Sequence, residues 1–318
     1  MQLLAINPGS TSTKIGIFDD EQCLLKETIY HESKQIDGSM KREEQARFRR
    51  QAVLNCLEQF EIDLNALDAL VVRGGLLKPL QSGIYHVDEA VYQDLIKARY
   101  GWHASNLGAI IALPLARELR IPVYTVDPVT VDEMDTPARY SGLKGMQRVS
   151  MSHALNMKAM ARRTADGMGK SYDSLNLVVV HLGSGISVSA HRRGQMIDVN
   201  NANEEGPFSL ERCGTLPALG LVRLCFSGSY SCDEMIHLIT SGGGVYSYLQ
   251  TKNFRDVEKM IASGDHAAFE VAEAMAYQVA KEIGAMAAVL NGEVDRIVLT
   301  GGMARSQYFL DMIEKKVS

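Results

Sequence analysis

The chain has no dense run of basic residues beyond Arg47-Arg49-Arg50 and Arg192-Arg193, and its formal net charge is −5. Nucleic acid is therefore not expected as a main partner. No apolar run is long enough to span a bilayer. The first residues hold no basic segment or cleavage site and do not read as a signal peptide. Cysteine is scarce: Cys23, Cys56, Cys213, Cys225 and Cys232 form no C-x-x-C pair. An odd, scattered set predicts reduced, mostly buried thiols in a cytoplasmic protein. Gly169-Lys170-Ser171 lacks the upstream glycine of a Walker A loop, and G-x-G-x-x-G, H-E-x-x-H and G-x-S-x-G are absent. These gaps argue against a P-loop kinase, a simple dehydrogenase, a zinc protease and an α/β-hydrolase.

What is present is a repeat. Leu3-Leu4-Ala5-Ile6-Asn7-Pro8-Gly9-Ser10 lies 174 positions before Leu177-Val178-Val179-Val180-His181-Leu182-Gly183-Ser184. Each is an apolar run, a polar residue and Gly-Ser. Each continues into a second β-prone run, Thr13 to Phe18 and Ile186 to His191, then a turn and a third run. A strand, a tight glycine turn and a returning strand leave N–H groups and hydroxyls facing one point, which suits an anion. Seen singly, either reads equally well as an ordinary hairpin. The repeat at one offset favours two phosphate-holding turns, one per half of the chain. A length of 318 residues, 46% apolar and 22% charged, fits a globular chain of about two domains.

The organisation supports an α/β chain with domains at 1–150 and 151–318. A helix-favouring segment from Lys41 to Phe60 spaces Phe48, Val53, Leu57 and Phe60 on one face. The run Ala69 to Val72 ends at Arg73-Gly74-Gly75, and Ile121 to Val126 ends at Asp127-Pro128. Ligand groups in open α/β sheets sit just beyond such strand ends. Ser105 can cap a helix reaching Leu119. In the second half a helix begins near His153, a long loop runs from Asn200 to Pro217, and a helix spans Ala267 to Leu290. A last strand meets Gly301-Gly302.

Phosphoryl transfer needs positive charge and rigid donors around the moving group. Asn7, Ser10, Ser12, Lys14, Arg73, His103, His153, His181 and Arg212 are the candidates. Each has a plainer reading. Asn7, Ser10 and Ser12 suit a turn, and Arg212 suits a pair with Glu211. His103 and His153 stand where helices are capped. Asp127 could organise Mg²⁺ through water or serve as a turn aspartate before proline. Gly301-Gly302 could let an adenosine approach the backbone or simply end a strand.

Taken together these segments resemble the acetate/butyrate kinase family of the actin-like ATPase-domain superfamily, over nearly the whole chain. Asn7 to Lys14 is similar to its first phosphate motif, His181 to Gly185 to its second, and Thr300-Gly301-Gly302 to its adenosine motif. The butyrate kinase branch is matched at 73–77, 103–108, 126–128, 132–134, 198–202 and 206–209. The resemblance implies an α/β fold of two actin-like ATPase (ribonuclease H-like) domains with the active site in the cleft between them. It implies ATP and Mg²⁺ as cofactors, a short-chain carboxylate as substrate, an acyl phosphate as product, and a homodimer or higher homo-oligomer. Asn7, Gly9, Ser10, Ser12, Lys14, His181, Gly183, Gly185, Gly301 and Gly302 carry over as nucleotide-binding residues. His103, His153 and Arg212 carry over as contacts to the moving phosphoryl, and Asp127 as the acid near Mg²⁺. Arg73 is a shifted or replacement cation. Ala304-Arg305-Ser306 stands where the acetate kinase branch has a metal-associated glutamate. The resemblance also implies a further strand and closing helix after Ser318. The competing readings are an ATP-binding regulatory or scaffold protein of the same fold and a sugar kinase of the same superfamily.

Overall fold

The computed structural model describes residues 1–9, 11–31 and 40–317. The chain divides into two compact units, Met1–Val131 and Asp132–Ser318. Composition had put the change at 150/151. The stretch before Ser152 instead pairs with the second unit: Arg148 donates to Asp198, Glu205 and the carbonyls of Ala138 and Val199. Lys158 pairs with Glu133 at 2.5 Å.

In the first unit β1 (Gln2–Pro8), β2 (Ser12–Asp19) and β3 (Gln22–Tyr30) form an antiparallel meander, followed by α1 (Arg42–Gln59). Then come β4 (Ala69–Arg73), β5 (Ile84–His86), α2 (Glu89–Ile96), α3 (Leu107–Leu119) and β6 (Val123–Val126). The sheet order is β3-β2-β1-β4-β6-β5, with β1, β4 and β6 parallel. Helix α3 is apolar on nearly every side, so it is buried in the core with Leu4, Ile6, Leu70 and Val72. Gly108 lets its first turn close on β4, where an added Cβ would stand 2.9 Å from the Arg73 carbonyl.

The second unit holds α4 (Ala154–Gly167), β7 (Asn176–Leu182), β8 (Ile186–Arg192) and β9 (Gln195–Val199). The helices α5 (Ala218–Cys225), α6 (Cys232–Thr240), α7 (Gly244–Leu249), α8 (Phe254–Ala262) and α9 (His266–Val289) follow. It closes with β10 (Arg296–Thr300) and α10 (Gln307–Val317). The sheet order is β10-β7-β8-β9, with β10 parallel to β7. The repeat is thus structural. In each unit a three-stranded meander leads, and the next sheet strand runs parallel beside the first. The small residues Ala268, Ala272 and Ala276 let α9 pack closely in its core.

Two expectations change. Cys23, Cys225 and Cys232 are exposed, and Cys56 and Cys213 are half-buried; all are free thiols. Cys23 lies on an edge strand and Cys225 at the end of a helix that buries none of its residues. The buried face of α1 is Ala46, Arg49, Val53 and Leu57, while Phe60 lies past the helix end and is exposed. No described helix is long and apolar enough to cross a membrane.

On β8 His191 is fully enclosed. Tyr172 Oη lies 2.6 Å from its Nδ1 and Ser189 Oγ 2.7 Å from its Nε2. Burial, then the charges of Lys158 and Arg162, lower its pKa from 6.5 to about 3. Between those values the unfolded chain binds the proton and the native chain does not, so stability rises with pH there. We expect stability to be complete above pH 6.5 and to fall as pH drops toward 3, by roughly 1.4 kcal/mol per unit from this residue. Urea denaturation across that range checks it. A His191→Gln chain with the same slope as the native one would refute it.

Candidate functional site

In the first unit the turn at 7–12 closes when the Gly9 N–H donates to the Ser12 carbonyl at 2.7 Å. Asn7 stands opposite Lys14 in the ladder. With Ser12 two positions from Lys14, these three side chains share one face of the hairpin. Ser10 lies outside the described residues. Arg73 ends β4, in register with Val126 just before Asp127. The two glycines after it are packing glycines: a Cβ on Gly74 would lie 2.4 Å from Pro128 Cβ, and one on Gly75 2.6 Å from Asn106 Oδ1. Burial lowers the pKa of Arg73, and no described charge offsets it. Its side chain is therefore a desolvated cation at a strand end.

Asp127 has φ +39° and is buried. Its Oδ1 accepts from Ser82 Oγ at 2.6 Å and from the Gly83 N–H at 2.8 Å. It does brace a turn, and the strained backbone is of the kind kept at functional positions. His103 caps the one-turn 3-10 helix Ala104–Asn106, and Ser105, read as the cap, bonds to it instead. The Ser105 N–H donates to His103 Nδ1 at 3.1 Å. A backbone N–H only donates, so this Nδ1 accepts and the ring proton sits on Nε2, a donor suited to an oxyanion.

In the second unit the turn after β7 is crowded by one arginine and two histidines. A Cβ on Gly185 would lie 2.5 Å from Arg212 Nη1, so the guanidinium rests on the glycine backbone. A Cβ on Gly183 would lie 2.9 Å from His181 Nε2. His153 and His181 stack, with centroids 3.9 Å apart and planes 9° apart. His153 Nδ1 lies 2.9 Å from Ser187 Oγ and makes no cap bond to α4. His181 Nδ1 lies 2.7 Å from Asn156 Oδ1. Gly301, at φ +94°, packs on the backbone of Leu182, so the end of β10 abuts this turn. An added Cβ on Gly302 would meet nothing within 4 Å. Arg212 bonds the Ala202 carbonyl rather than Glu211, whose carboxylate pairs with Lys252.

The profile of the Acetokinase family matches residues 135–311, more than half of the chain. The chain belongs to the acetokinase family. That makes it a carboxylate kinase by class, of a family that uses ATP and a divalent metal. An acetate kinase from Porphyromonas gingivalis superposes with a TM-score of 0.79 at 20% identity, covering 99% of this chain and 86% of that one. A propionate kinase from Francisella tularensis gives 0.78 at 17%, covering 99% and 88%. An acetate kinase from Entamoeba histolytica gives 0.79 at 14%, covering 99% and 86%. This likeness establishes the fold, two actin-like ATPase domains.

In this acetokinase-family chain no group of three or more His, Cys, Asp or Glu among the described residues could cage a metal ion. Asp127 is a single buried carboxylate whose Oδ1 already accepts two hydrogen bonds, so any Mg²⁺ near it would be held through water and phosphate oxygens rather than by a protein cage. Three supports escaped the sequence reading. Asn156 sets His181, and its only signal was its place three residues after His153. Gly243 and Gly244 cradle the turn bearing Arg212: the Gly243 N–H donates to the Glu211 carbonyl, and a Cβ on Gly244 would collide with the Ser209 carbonyl. The third is Arg49, buried on α1, which donates to the Ser12 carbonyl.

The two glycine turns predict opposite phenotypes. Gly301→Ala meets immovable backbone at a positive φ and should cost about 2 kcal/mol or more of stability. Gly185→Ala meets only the end of a movable arginine. It should cost less than about 1 kcal/mol yet weaken ATP binding about tenfold, the scale of one charged hydrogen bond. Denaturation and ATP titration of both variants check this; equal stability losses would contradict it.

Proposed function

We propose that this chain transfers the γ-phosphoryl group of ATP reversibly to the carboxylate of a short-chain fatty acid, butyrate or a branched analogue, forming an acyl phosphate. The observation that carries the reading is the second-unit cluster, where Arg212 lies on Gly185 and His181, stacked on His153, lies on Gly183. An arginine and two histidines around a glycine turn suit a phosphoryl group with charge spread over its oxygens. The butyrate branch rests on the motif matches at 73–77, 103–108 and 206–209.

Asn7, Gly9, Ser10, Ser12 and Lys14 of one turn, and His181, Gly183 and Gly185 of the other, hold nucleotide phosphates. Gly302, with open space above it, admits the adenosine, and Gly301 holds the strand end against Leu182 beside it. The substrate carboxylate is already ionised at pH 7 and needs no general base. Its oxygen attacks the γ-phosphorus, and ADP leaves with the electron pair of the broken bond. Arg73, His103, His153 and Arg212 stabilise the charge of that transfer, with His103 donating from Nε2. Asp127 would hold Mg²⁺ through water; when bound, the ion neutralises phosphate charge.

We also propose a cytoplasmic homodimer or higher homo-oligomer. Supporting it, α5 buries none of its residues, and Leu219 and Phe226 are 75% and 87% exposed. An apolar surface of this kind suits a second copy. Light scattering of the pure chain tests this, and a monomer at all concentrations would end it.

The decisive measurement is ATP-dependent acyl phosphate formation, trapped as hydroxamate, across acetate, propionate, butyrate and isobutyrate. Each added CH₂ buried in the acid pocket contributes about 0.8 kcal/mol, so kcat/KM should rise several-fold per carbon up to four. Acetate as the best acid would move the chain to the acetate branch. ATP binding without transfer to any acid would favour the regulatory or scaffold reading. Arg212→Ala should lower kcat by about 10²-fold or more with an unchanged circular dichroism spectrum.

A further inference from the structure

We propose that Arg49 is a positioning residue for the phosphate-holding turn at 7–12, acting from the buried side of the hairpin. The inference rests on the reading of that turn as a nucleotide phosphate site. Arg49 lies on the apolar face of α1, in step with Ala46, Val53 and Leu57, and is only 1% exposed. An arginine so buried, in register with a core face, does something there that a leucine would not.

Its Nη1 donates to the Ser12 carbonyl at 3.0 Å and to Thr13 Oγ1 at 3.1 Å. The Ser12 carbonyl is also the acceptor that closes the turn with the Gly9 N–H. One carbonyl therefore joins the turn to the helix. Thr13 is fully buried, and its hydroxyl lies 2.9 Å from His31 Nε2. The arginine can only donate to that hydroxyl, so the hydroxyl hydrogen is left for His31. This requires an unprotonated Nε2. Burial, and then the Arg49 charge, lower the His31 pKa to about 4, so the ring is neutral at pH 7 and accepts. The His31 N–H in turn donates to the Thr11 carbonyl at 2.9 Å.

The turn is thus held at Thr11, Ser12 and Thr13 from behind. Side chains alternate along a strand, so Ser12 and Lys14 face the opposite way from Thr13, on the side of Asn7. Fixing Thr13 and the Ser12 carbonyl orients that outer face before any phosphate arrives. Preorganisation of this kind appears in ligand affinity, not in the chemistry that follows.

The test measures ATP affinity by calorimetry, and KM and kcat, in Thr13→Val, Thr13→Ser and Arg49→Lys chains. Thr13→Val should weaken ATP binding and raise KM for ATP about tenfold, the scale of a hydrogen bond to a charged group. Its kcat at saturating ATP and its KM for the acid should stay within about twofold, since neither reads the free turn. Thr13→Ser restores the hydroxyl and should restore affinity. Arg49→Lys, which keeps the charge but not the reach, should be as weak as Thr13→Val. Folded variants with native ATP affinity would overturn the inference while leaving the phosphate site standing, even if their melting temperatures fall. A native chain that binds no ATP overturns the reading of the turn and the inference with it.

Discussion

Backbone N–H groups at a tight turn between paired strands cannot all be satisfied by the sheet that carries them. An anion placed over the turn satisfies several at once, but only if nothing stands above the backbone. At the turn after β7 that space is lined by an arginine and a histidine. The glycines at 183 and 185 remove the side chains that would fill it, and His181 and Arg212 occupy the room so made. Gly301 applies the same logic to β10, whose end packs on the Leu182 backbone because no Cβ keeps it away. The doubled meander places one such turn in each unit.

Buried cations in the two units meet different fates. Arg148 is met by Asp198 and Glu205, and Lys158 by Glu133. Pairs like these offset the cost of burial and hold a loop to a sheet. Arg73 is desolvated with no described charge to offset it. Such a group carries an unmet electrostatic demand, which a bound phosphate or carboxylate would answer. Position alone does not distinguish the two kinds, since all are arginines or lysines near loops.

The histidines show how local bonds assign protons. A backbone N–H forces an acceptor at His103 Nδ1. The Asn156 side-chain oxygen asks for a donor at His181 Nδ1. His191 and His31 are held neutral by burial, at about 3 and about 4. One residue type therefore serves as donor, as stacking partner and as silent core member, according to what surrounds each ring.

Local chemistry determined much of this protein. The repeat at a fixed offset, the strand ends at Arg73, Asp127 and Gly301, and the glycine turns were legible because a strand's pattern and a turn's glycines are properties of a few adjacent residues. The family was legible for the same reason, since its motifs are short and local. The packing decided the rest. Arg49 read only as one member of a short basic run, because its burial depends on what the hairpin lays over α1. Asn156 and the Gly243–Gly244 cradle were silent, because their partners lie 25 or more residues away in sequence. The unit boundary moved because Arg148 is tied to Asp198 and Glu205, contacts that the composition of residues 137–152 does not reveal. Burial and long-range hydrogen bonding belong to the folded chain as a whole, and for that reason only the tertiary structure could supply them.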